Sequence, residues 1–204
     1  FSNLEMKHRK NKEAHPLAEE SNKTSKIAIC IFLVITTLAV YWQALDHGFI
    51  NYDDDKYVTK NLHIQAGLTY ESITWALTTG HFGSWAPILW LSHIIDFQFF
   101  GLDPTGHHLV NVAIHIVNTI LLFLVLTRMT GALWQSGFVA ALFALHPFNV
   151  ESVAWGAERK NVLGAFFWFL TMWSYIRFVE RPSFLKYGLT TLFLVMGLMT
   201  KAML

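Results

Sequence analysis

The chain has 204 residues, of which 53% are hydrophobic and only 14% are charged. Soluble domains carry about 25% charged residues, so this composition disfavours a soluble enzyme, and 17 Phe and 8 Trp residues exclude a disordered chain. A net charge of +1 excludes nucleic acid as a partner attracted by bulk charge. The single cysteine excludes a disulfide framework and a cysteine zinc site. Because the chain begins with Phe1 and ends in an apolar stretch, we expect a fragment of a longer protein.

Residues 1–26 are polar and include six Lys or Arg residues, which predicts a flexible cytoplasmic tail. Residues 27–45 follow without a single charge. At about 1.5 Å per residue this run approaches the roughly 30 Å of a hydrocarbon core, so it is the first predicted membrane span. A signal peptide is the competing interpretation, but the preceding tail is long and no small-residue cleavage site follows.

A long outer loop, 46–107, follows the first span and carries seven acids and two lysines. Within it, Thr69 as an N-cap and Gly80 as a stop predict a two-turn helix between them. Residues 88–100 predict a second helix, which is too short and too polar to span a membrane. Its aromatic residues favour an interfacial helix on the outer leaflet, and packing against neighbouring helices is the alternative.

Four further apolar runs predict the remaining spans at 108–127, 131–146, 161–177 and 187–204. The run at 131–146 is short for a membrane helix. If all five runs cross the membrane and the N-terminus is cytoplasmic, ten Lys and Arg residues lie inside and five lie outside, which agrees with the positive-inside rule. A re-entrant third run would remove this bias. We therefore predict an all-α polytopic membrane protein with about five transmembrane helices.

Three consecutive carboxylates, Asp53, Asp54 and Asp55, follow the first span. Adjacent carboxylates repel one another and are costly near a membrane surface unless they are used. One of them can act as a general base towards an acceptor hydroxyl. Alternatively, the three can hold a divalent cation that binds a phosphate leaving group. A solvated acidic turn is the structural alternative to both chemistries.

Polar residues form one stripe along the second span, and they are His108, Asn111, His115 and Asn118. Their spacing places them on a single helical face. Imidazoles and amides are expensive in lipid, so we expect this face to meet other helices or a wet cavity. Interhelical hydrogen bonds are the favoured interpretation. His107 and His108, at the outer end, are the better candidates for contact with a ligand.

The second outer loop adds a histidine, two acids and two cations. His146 and Glu151 lie just after the third span, and Glu158, Arg159 and Lys160 lie just before the fourth. Cations on the outside oppose the positive-inside rule, which indicates a specific role. A phosphate group suits both Arg, with its fork of donors, and Lys, with its point charge. A local salt bridge with a nearby acid is the alternative.

Both outer loops therefore bring acids, histidines and cations to one membrane face, and Lys201 near the end of the fifth span adds a cation to Arg159 and Lys160. An acid as base and cations for a phosphate suit a transferase that uses a lipid-phosphate donor. The chain contains no Rossmann glycine fingerprint, no His-Glu-x-x-His, no Gly-x-Ser-x-Gly and no P-loop pattern. A transporter is disfavoured, because the spans lack broken-helix Gly/Pro pairs.

Several motifs in a fixed order carry a family resemblance: 51–58 (NYDDDKYV), 90–93 (WLSH), 101–104 (GLDP) followed by 106–108 (GHH), 146–155 (HPFNVESVAW) and 158–160 (ERK). From about residue 27 to its end, the chain resembles bacterial membrane proteins that have a tetratricopeptide-repeat C-terminal half. These proteins are similar to the eukaryotic transmembrane-and-tetratricopeptide O-mannosyltransferases.

The resemblance implies that 27–204 is the N-terminal part of a GT-C glycosyltransferase membrane domain. It implies transfer of a hexose such as mannose from a polyprenyl-phosphate donor to a protein hydroxyl on the extracytoplasmic side. It places the catalytic base at Asp53 or Asp54, and it implies that His146, Glu151 and the segment 158–160 help to bind donor or acceptor. The expected location is the bacterial inner membrane, with a cytoplasmic N-terminus.

Three positions depart from the family pattern: Ala86, Asn161 and Ala202 stand where His, Asp and Pro are common. These departures leave the Asp53–Asp54 pair intact. A non-catalytic membrane anchor that displays C-terminal repeats for protein interaction is the alternative function. This alternative predicts that the aspartates and the second-loop cations tolerate substitution.

Overall fold

The computed structural model describes the backbone of residues 2–50 and 52–201, and the side chains of residues 22–50, 52–81 and 83–201. Every regular element within those ranges is helical, which confirms the predicted all-α fold class. The α-helices are, in chain order, α1 Ser2–Tyr41, α2 Leu62–Gln65, α3 Tyr70–Thr78, α4 Pro87–Phe100, α5 Pro104–Thr130, α6 Leu133–Leu145, α7 Phe148–Ala154, α8 Arg159–Glu180 and α9 Phe184–Leu198. The sequence predicts a flexible tail over 1–26, whereas the described backbone from Ser2 onward is part of α1.

Three helical segments are long and apolar enough to cross a membrane: Asn22–Asp46, Pro104–Thr130 and Gly156–Glu180. They contain the predicted first, second and fourth spans. α6 and α7 reach spanning length only as a pair, which is bent by 62°, so the predicted third run is either a broken span or a re-entrant segment. α9 is apolar but has only 15 residues. The described chain is thus a polytopic helical membrane protein with three to four candidate spans.

α5 lies at the centre of the bundle, where it packs against α1, α6 and α8. Ile29 and Leu33 of α1 form one buried cluster with Phe123 of α5 and Ala140 of α6. Gly137 allows α6 to approach α1, because a Cβ at this position would lie 3.2 Å from the Ile29 side chain. α9 packs on α8 and leaves most of its apolar side chains exposed.

The polar stripe of the second span faces the interior of the bundle, as the sequence predicts. All four side chains are no more than 2% exposed. Three of them reach a backbone carbonyl of a neighbouring element: Asn111 that of Trp155 (3.2 Å), His115 that of Ala144 (3.1 Å) and Asn118 that of Val162 (2.8 Å). Hydrogen bonding between helices, the favoured interpretation, is therefore confirmed for His115 and Asn118, whose partners lie in α6 and α8, whereas Asn111 binds the connection that follows α7.

α3 begins at the predicted N-cap. Thr69 Oγ1 accepts a hydrogen bond from the Ser72 N–H (3.1 Å), and Ser72 Oγ accepts one from the Thr69 N–H (3.0 Å), which together form a capping box. The helix ends at Thr78, two residues before the predicted stop at Gly80. Local sequence alone is sufficient for this start, because both bonds lie within one turn.

α4 begins with Pro87 in its first turn and ends before Gly101, whose φ of 58° suits glycine. Leu89, Trp90 and Ile94 are no more than 1% exposed. This burial favours packing against neighbouring helices over a helix that lies on a leaflet. The short helices of the first outer loop thereby form a folded cap beside the start of α8.

Candidate functional site

Asp54 connects the first outer loop to the second through hydrogen bonds of its carboxylate. Its side chain is completely buried. Its Oδ2 accepts a hydrogen bond from the Ile50 N–H (2.9 Å), and its Oδ1 accepts one from the Ala157 N–H (2.8 Å). Gly156 permits this approach, because a Cβ there would lie 3.1 Å from Asp54 Oδ1. Both carboxylate oxygens are therefore used by backbone donors, which hold the acidic turn against the start of α8.

The two flanking carboxylates have different partners. Asp53 has a side chain that is 31% exposed, and its Oδ1 lies 3.6 Å from Lys56 Nζ. Asp55 Oδ2 accepts a hydrogen bond from Lys60 Nζ at 3.1 Å, and this bond lowers the pKa of the Asp55 carboxyl. The three aspartates therefore do not converge on one point. Within the described ranges, no three His, Cys, Asp or Glu side chains form a group that could hold a metal ion.

Tyr57 connects the acidic turn with the cations of the second loop. Its buried ring lies 5.0 Å from the Trp90 ring, centroid to centroid, and Lys160 Nζ lies 5.8 Å from its centroid. Burial raises the pKa of the Tyr57 phenol. The charge of Lys160 opposes this rise, and the charges of Asp53 and Glu158 add to it. The Tyr57 N–H also donates to the Asp53 carbonyl at 3.0 Å, so Asp53 and Lys160, from different loops, are both neighbours of Tyr57.

A continuous polar chain runs from Lys160 to Lys201. Lys160 Nζ pairs with Glu158 Oε1 at 2.7 Å, and Asn161 Nδ2 donates a hydrogen bond to Glu158 Oε2 at 2.6 Å. Lys201 Nζ donates to Asn161 Oδ1 at 2.8 Å. The amide of Asn161 suits this position because it donates to an acid and accepts from a cation, whereas an ionised aspartate can only accept. All four side chains retain partial exposure.

Arg159 lies in the interior instead. Its side chain is completely buried and forms an ion pair with Asp96 of α4. Its Nε donates to Asn111 Oδ1 (2.7 Å), and its Nη2 donates to the His107 carbonyl (2.8 Å). The salt bridge that the sequence offered as the alternative to phosphate binding is present, with a partner that the sequence did not indicate. Arg159 joins α4, α5 and α8 and leaves no exposed donor for a phosphate.

Two histidines lie beside this ion pair. His107 Nδ1 is 3.5 Å from Asp96 Oδ2, and its Nε2 shares a hydrogen bond with the Gly101 carbonyl at 3.0 Å. The His93 and His107 rings are stacked with centroids 6.4 Å apart. Burial, aided by the charge of Arg159, lowers the pKa of His93 well below its ordinary value. Burial raises the pKa of Asp96, and Arg159 opposes that rise.

The histidines predicted as ligands fall into two groups. His107 and His108 are each 1% exposed, and in the described part of the chain neither ring nitrogen of His108 has a hydrogen-bond partner. His146 is exposed, and its Nδ1 accepts a hydrogen bond from the Phe148 N–H at 3.2 Å. Glu151 is also exposed, in the first turn of α7. Among the described contacts, none joins His146 or Glu151 to the acidic turn.

Sequence reasoning missed three contributors to this region: Tyr57, Asp96 and the backbone N–H of Ala157. Tyr57 is separated from Asp55 by Lys56 alone, so its proximity to the aspartates was a usable signal. Asp96 counted only as one acid of a long loop, although an acid within a mainly apolar helix is itself a signal for a buried partner. A backbone donor has no signature in the sequence.

Comparison with known proteins adds independent information. The chain is 29% identical over 194 residues to the protein O-mannosyl-transferase Tmtc2 of Drosophila melanogaster, an alignment that covers 88% of the chain and 21% of that protein. It is 32% identical over 151 residues to TMTC2 of Mus musculus, and this alignment covers 69% of the chain and 18% of the mouse protein. The chain is a distant relative of the TMTC proteins. Human TMTC2 is 29% identical over 147 residues.

The TMTC alignments cover most of this chain but only a small part of each relative. The chain spans about a fifth of the length of the TMTC proteins that it matches. No family model and no solved structure matches the chain. The relation to TMTC proteins therefore rests on sequence similarity.

Proposed function

We propose that this protein is a membrane glycosyltransferase that transfers a hexose such as mannose to a protein hydroxyl. The supporting observation is that Tyr57 neighbours both an acid of the first outer loop and a cation of the second. Its N–H donates to the Asp53 carbonyl at 3.0 Å, and Lys160 Nζ lies 5.8 Å from its ring centroid. The relatives' name, protein O-mannosyl-transferase, agrees with this assignment. The donor is a polyprenyl-phosphate sugar, and the site faces the extracytoplasmic side.

Asp53 is the general base in this proposal, and Asp54 is a positioning residue. Asp53 retains exposure, whereas both oxygens of Asp54 are already bound by backbone donors. Asp53 takes the proton of a Ser or Thr hydroxyl as that oxygen attacks the anomeric carbon of the sugar. The bond between this carbon and the phosphate oxygen breaks, and its electron pair leaves with the lipid phosphate.

Lys160 and Lys201 are the proposed cations for the departing phosphate. They are partly exposed and are connected through Glu158 and Asn161. Arg159, which the sequence grouped with them, acts from the interior by holding α4 and α8 together. His146 and Glu151 are proposed contacts for the acceptor, because both are exposed.

A non-catalytic anchor is the second candidate function. One observation favours it: Asp54 and Arg159, two of the motif residues, are fully engaged in internal contacts that a scaffold would also need. In that case the membrane part would display tetratricopeptide repeats in a bacterial inner membrane. The anchor requires nothing of Asp53, which distinguishes the two functions.

The test is sugar transfer from a radiolabelled polyprenyl-phosphate mannose in membranes that contain the full-length protein. Asp53→Asn should reduce transfer by about 10²- to 10⁴-fold, the usual effect of removing a general base. Asp55→Asn is the matched control, because it removes a neighbouring carboxylate whose partner is Lys60. It should retain most of the activity.

Each outcome separates the candidates. Full transfer by a correctly folded Asp53→Asn variant would reject the assignment of the base. Absence of transfer by the wild type with mannose, glucose and galactose donors alike would favour the anchor. A lower rate of transfer by Lys160→Gln, together with a raised KM for the donor, would support a contact between Lys160 and the donor phosphate.

A further inference from the structure

The turn between α8 and α9 lies at the end of the bundle opposite the acidic turn, since α8 begins at one and ends at the other. The C-terminal end of α5 lies at this same end, because Arg128 Nε donates to Glu180 Oε1 at 2.8 Å. The N-terminal half of the α1 span also lies there, since Ile29 packs on Phe123. This end therefore collects charges from several helices.

Positive charge is in excess at this turn. Four cations, Arg128, Arg177, Arg181 and Lys186, lie at or beside it. Among the described side chains of the turn, Glu180 is the one acid, and both of its oxygens bind Arg128. Arg177 and Arg181 are exposed. In the described part of the chain, no acid forms an ion pair with Arg177, Arg181 or Lys186. The Lys186 ammonium instead donates to the Arg181 carbonyl at 2.5 Å.

An apolar hollow of about 510 Å³ lies beside these cations. It is lined by Phe178, Pro182, Ser183, Phe184 and Tyr187. The Phe178 and Tyr187 rings are 5.9 Å apart, and Phe184 is 97% exposed. The volume lies within the range of about 300–1,000 Å³ that is usual for small-ligand sites.

The exposed cations and the apolar hollow together indicate which class of ligand fits this turn. Exposed aromatic side chains at the ends of membrane helices lie at the level of the lipid headgroups. Basic clusters next to such helices attract anionic headgroups, at roughly 1 kcal/mol per Lys or Arg. A ligand for this turn must therefore have an anionic group for the cations and an apolar part for the hollow. We propose that the α8–α9 turn binds an anionic phospholipid of the bilayer.

Charge complementarity selects this occupant over a zwitterionic lipid, which would leave an excess of three positive charges unbalanced. The hollow favours an anionic phospholipid over a free anion, because inorganic phosphate would leave the rings of Phe184 and Tyr187 exposed to water. The proposal is independent of sugar transfer, because none of these residues contacts the acidic turn or the polar chain at Lys160.

Native mass spectrometry of the full protein, released from nanodiscs, measures the affinities for phosphatidylglycerol and phosphatidylcholine directly. The wild type should retain phosphatidylglycerol preferentially, also in the presence of excess inorganic phosphate. Each of Arg181→Gln and Lys186→Gln should weaken phosphatidylglycerol binding about fivefold, and phosphatidylcholine binding should not change. Lys23→Gln is the control, because it removes a cation of α1 that does not line the hollow.

A second pair of variants tests the apolar half of the site. Phe184→Ala should weaken phosphatidylglycerol binding, and it leaves the core intact because its side chain is almost fully exposed. Phe99→Ala, at a 74% exposed position of α4, is the matched control and should bind as the wild type does.

Three outcomes would overturn the proposal. One is equal retention of both lipids by the wild type. Another is displacement of phosphatidylglycerol by inorganic phosphate, which would assign the cations to a free anion. The third is a stable dimer that Phe184→Ala disrupts while lipid retention stays unchanged, which would assign the hollow to a second copy of the chain.

Discussion

At the acidic end of the bundle, Arg159 and Asp96 pair in the interior and Asp54 binds two backbone N–H groups, whereas at the α8–α9 turn Arg177 and Arg181 face outward. Buried charges are held in one geometry, because any other arrangement leaves a desolvated group without a partner. Exposed cations keep their water and are free to meet a ligand. Charged residues of this chain therefore hold structural elements together at one end and remain exposed to solvent and ligands at the other.

The largest expected effect comes from removing a buried partner. Arg159→Met should lower the free energy of unfolding by about 3–5 kcal/mol, because it leaves the Asp96 carboxylate buried without its partner. Unfolding in mixed detergent micelles measures this change. Arg128→Met is the matched control at the other end, where the pair with Glu180 is exposed and water replaces the lost partner. Equal losses in the two variants would contradict the contrast between the ends.

Asp54→Asn should cost less, about 1–3 kcal/mol, because the amide keeps one acceptor oxygen and presents an NH₂ group to the other backbone N–H. Hydrogen exchange should show faster exchange of the Ile50 or Ala157 amide. Asp53→Asn is the control and should leave both amides protected. Unchanged protection in Asp54→Asn would remove Asp54 from its positioning role.

The buried groups at the acidic end of the bundle should also make the stability depend on pH. The pKa of His93 in the folded protein lies well below the ordinary 6.5. When the pH falls below 6.5, the unfolded chain therefore binds a proton at His93, whereas the folded chain does not. His93 should therefore make the stability fall as the pH drops from about 6.5, and its own contribution to the slope is at most about 1.4 kcal/mol per pH unit.

His93→Phe should flatten this slope. Ile94→Val is the control, since it removes a methylene from the neighbouring buried position and leaves every titratable group in place. A slope that is the same in all three proteins would reject His93 as its source.

The smallest expected difference concerns helix starts at the two ends. Thr69→Ala should cost about 1 kcal/mol, because Thr69 forms a reciprocal capping box with Ser72. Ser183→Ala should cost less, since its single bond to the Lys186 N–H is 3.4 Å long. Unfolding of each variant beside the wild type measures both values. The reverse order would show that cap geometry does not control these two helix starts.

The candidate site was only partly accessible from the sequence. Carboxylates and cations in both outer loops indicated a site, and Asp53, Lys160 and Lys201 retain exposure in the structure. The sequence could not separate Arg159 from Lys160, because adjacent residues at a helix start point in different directions and only the packing decides which one is buried. The role of Asn161 also became visible only with Glu158 and Lys201 beside it.

Local patterns determined much of the fold. Three of the five apolar runs lie within helices that are long enough to cross a membrane, because a backbone in lipid must satisfy its hydrogen bonds within a helix. The spacing of Asn111, His115 and Asn118 determined that they share one face, and the cost of polar groups in lipid turned that face inward. The start of α3 followed from Thr69 and Ser72, which interact within a single turn.

Only the tertiary structure decided which distant groups meet. The pairing of Arg159 with Asp96, and of Asp54 with the Ala157 N–H, joins elements far apart in the chain, and no periodicity encodes such contacts. No periodicity of the sequence encodes the bend between α6 and α7 either. The physical reason is that spacing controls the direction of a side chain around its own helix, whereas its partner depends on how the helices pack.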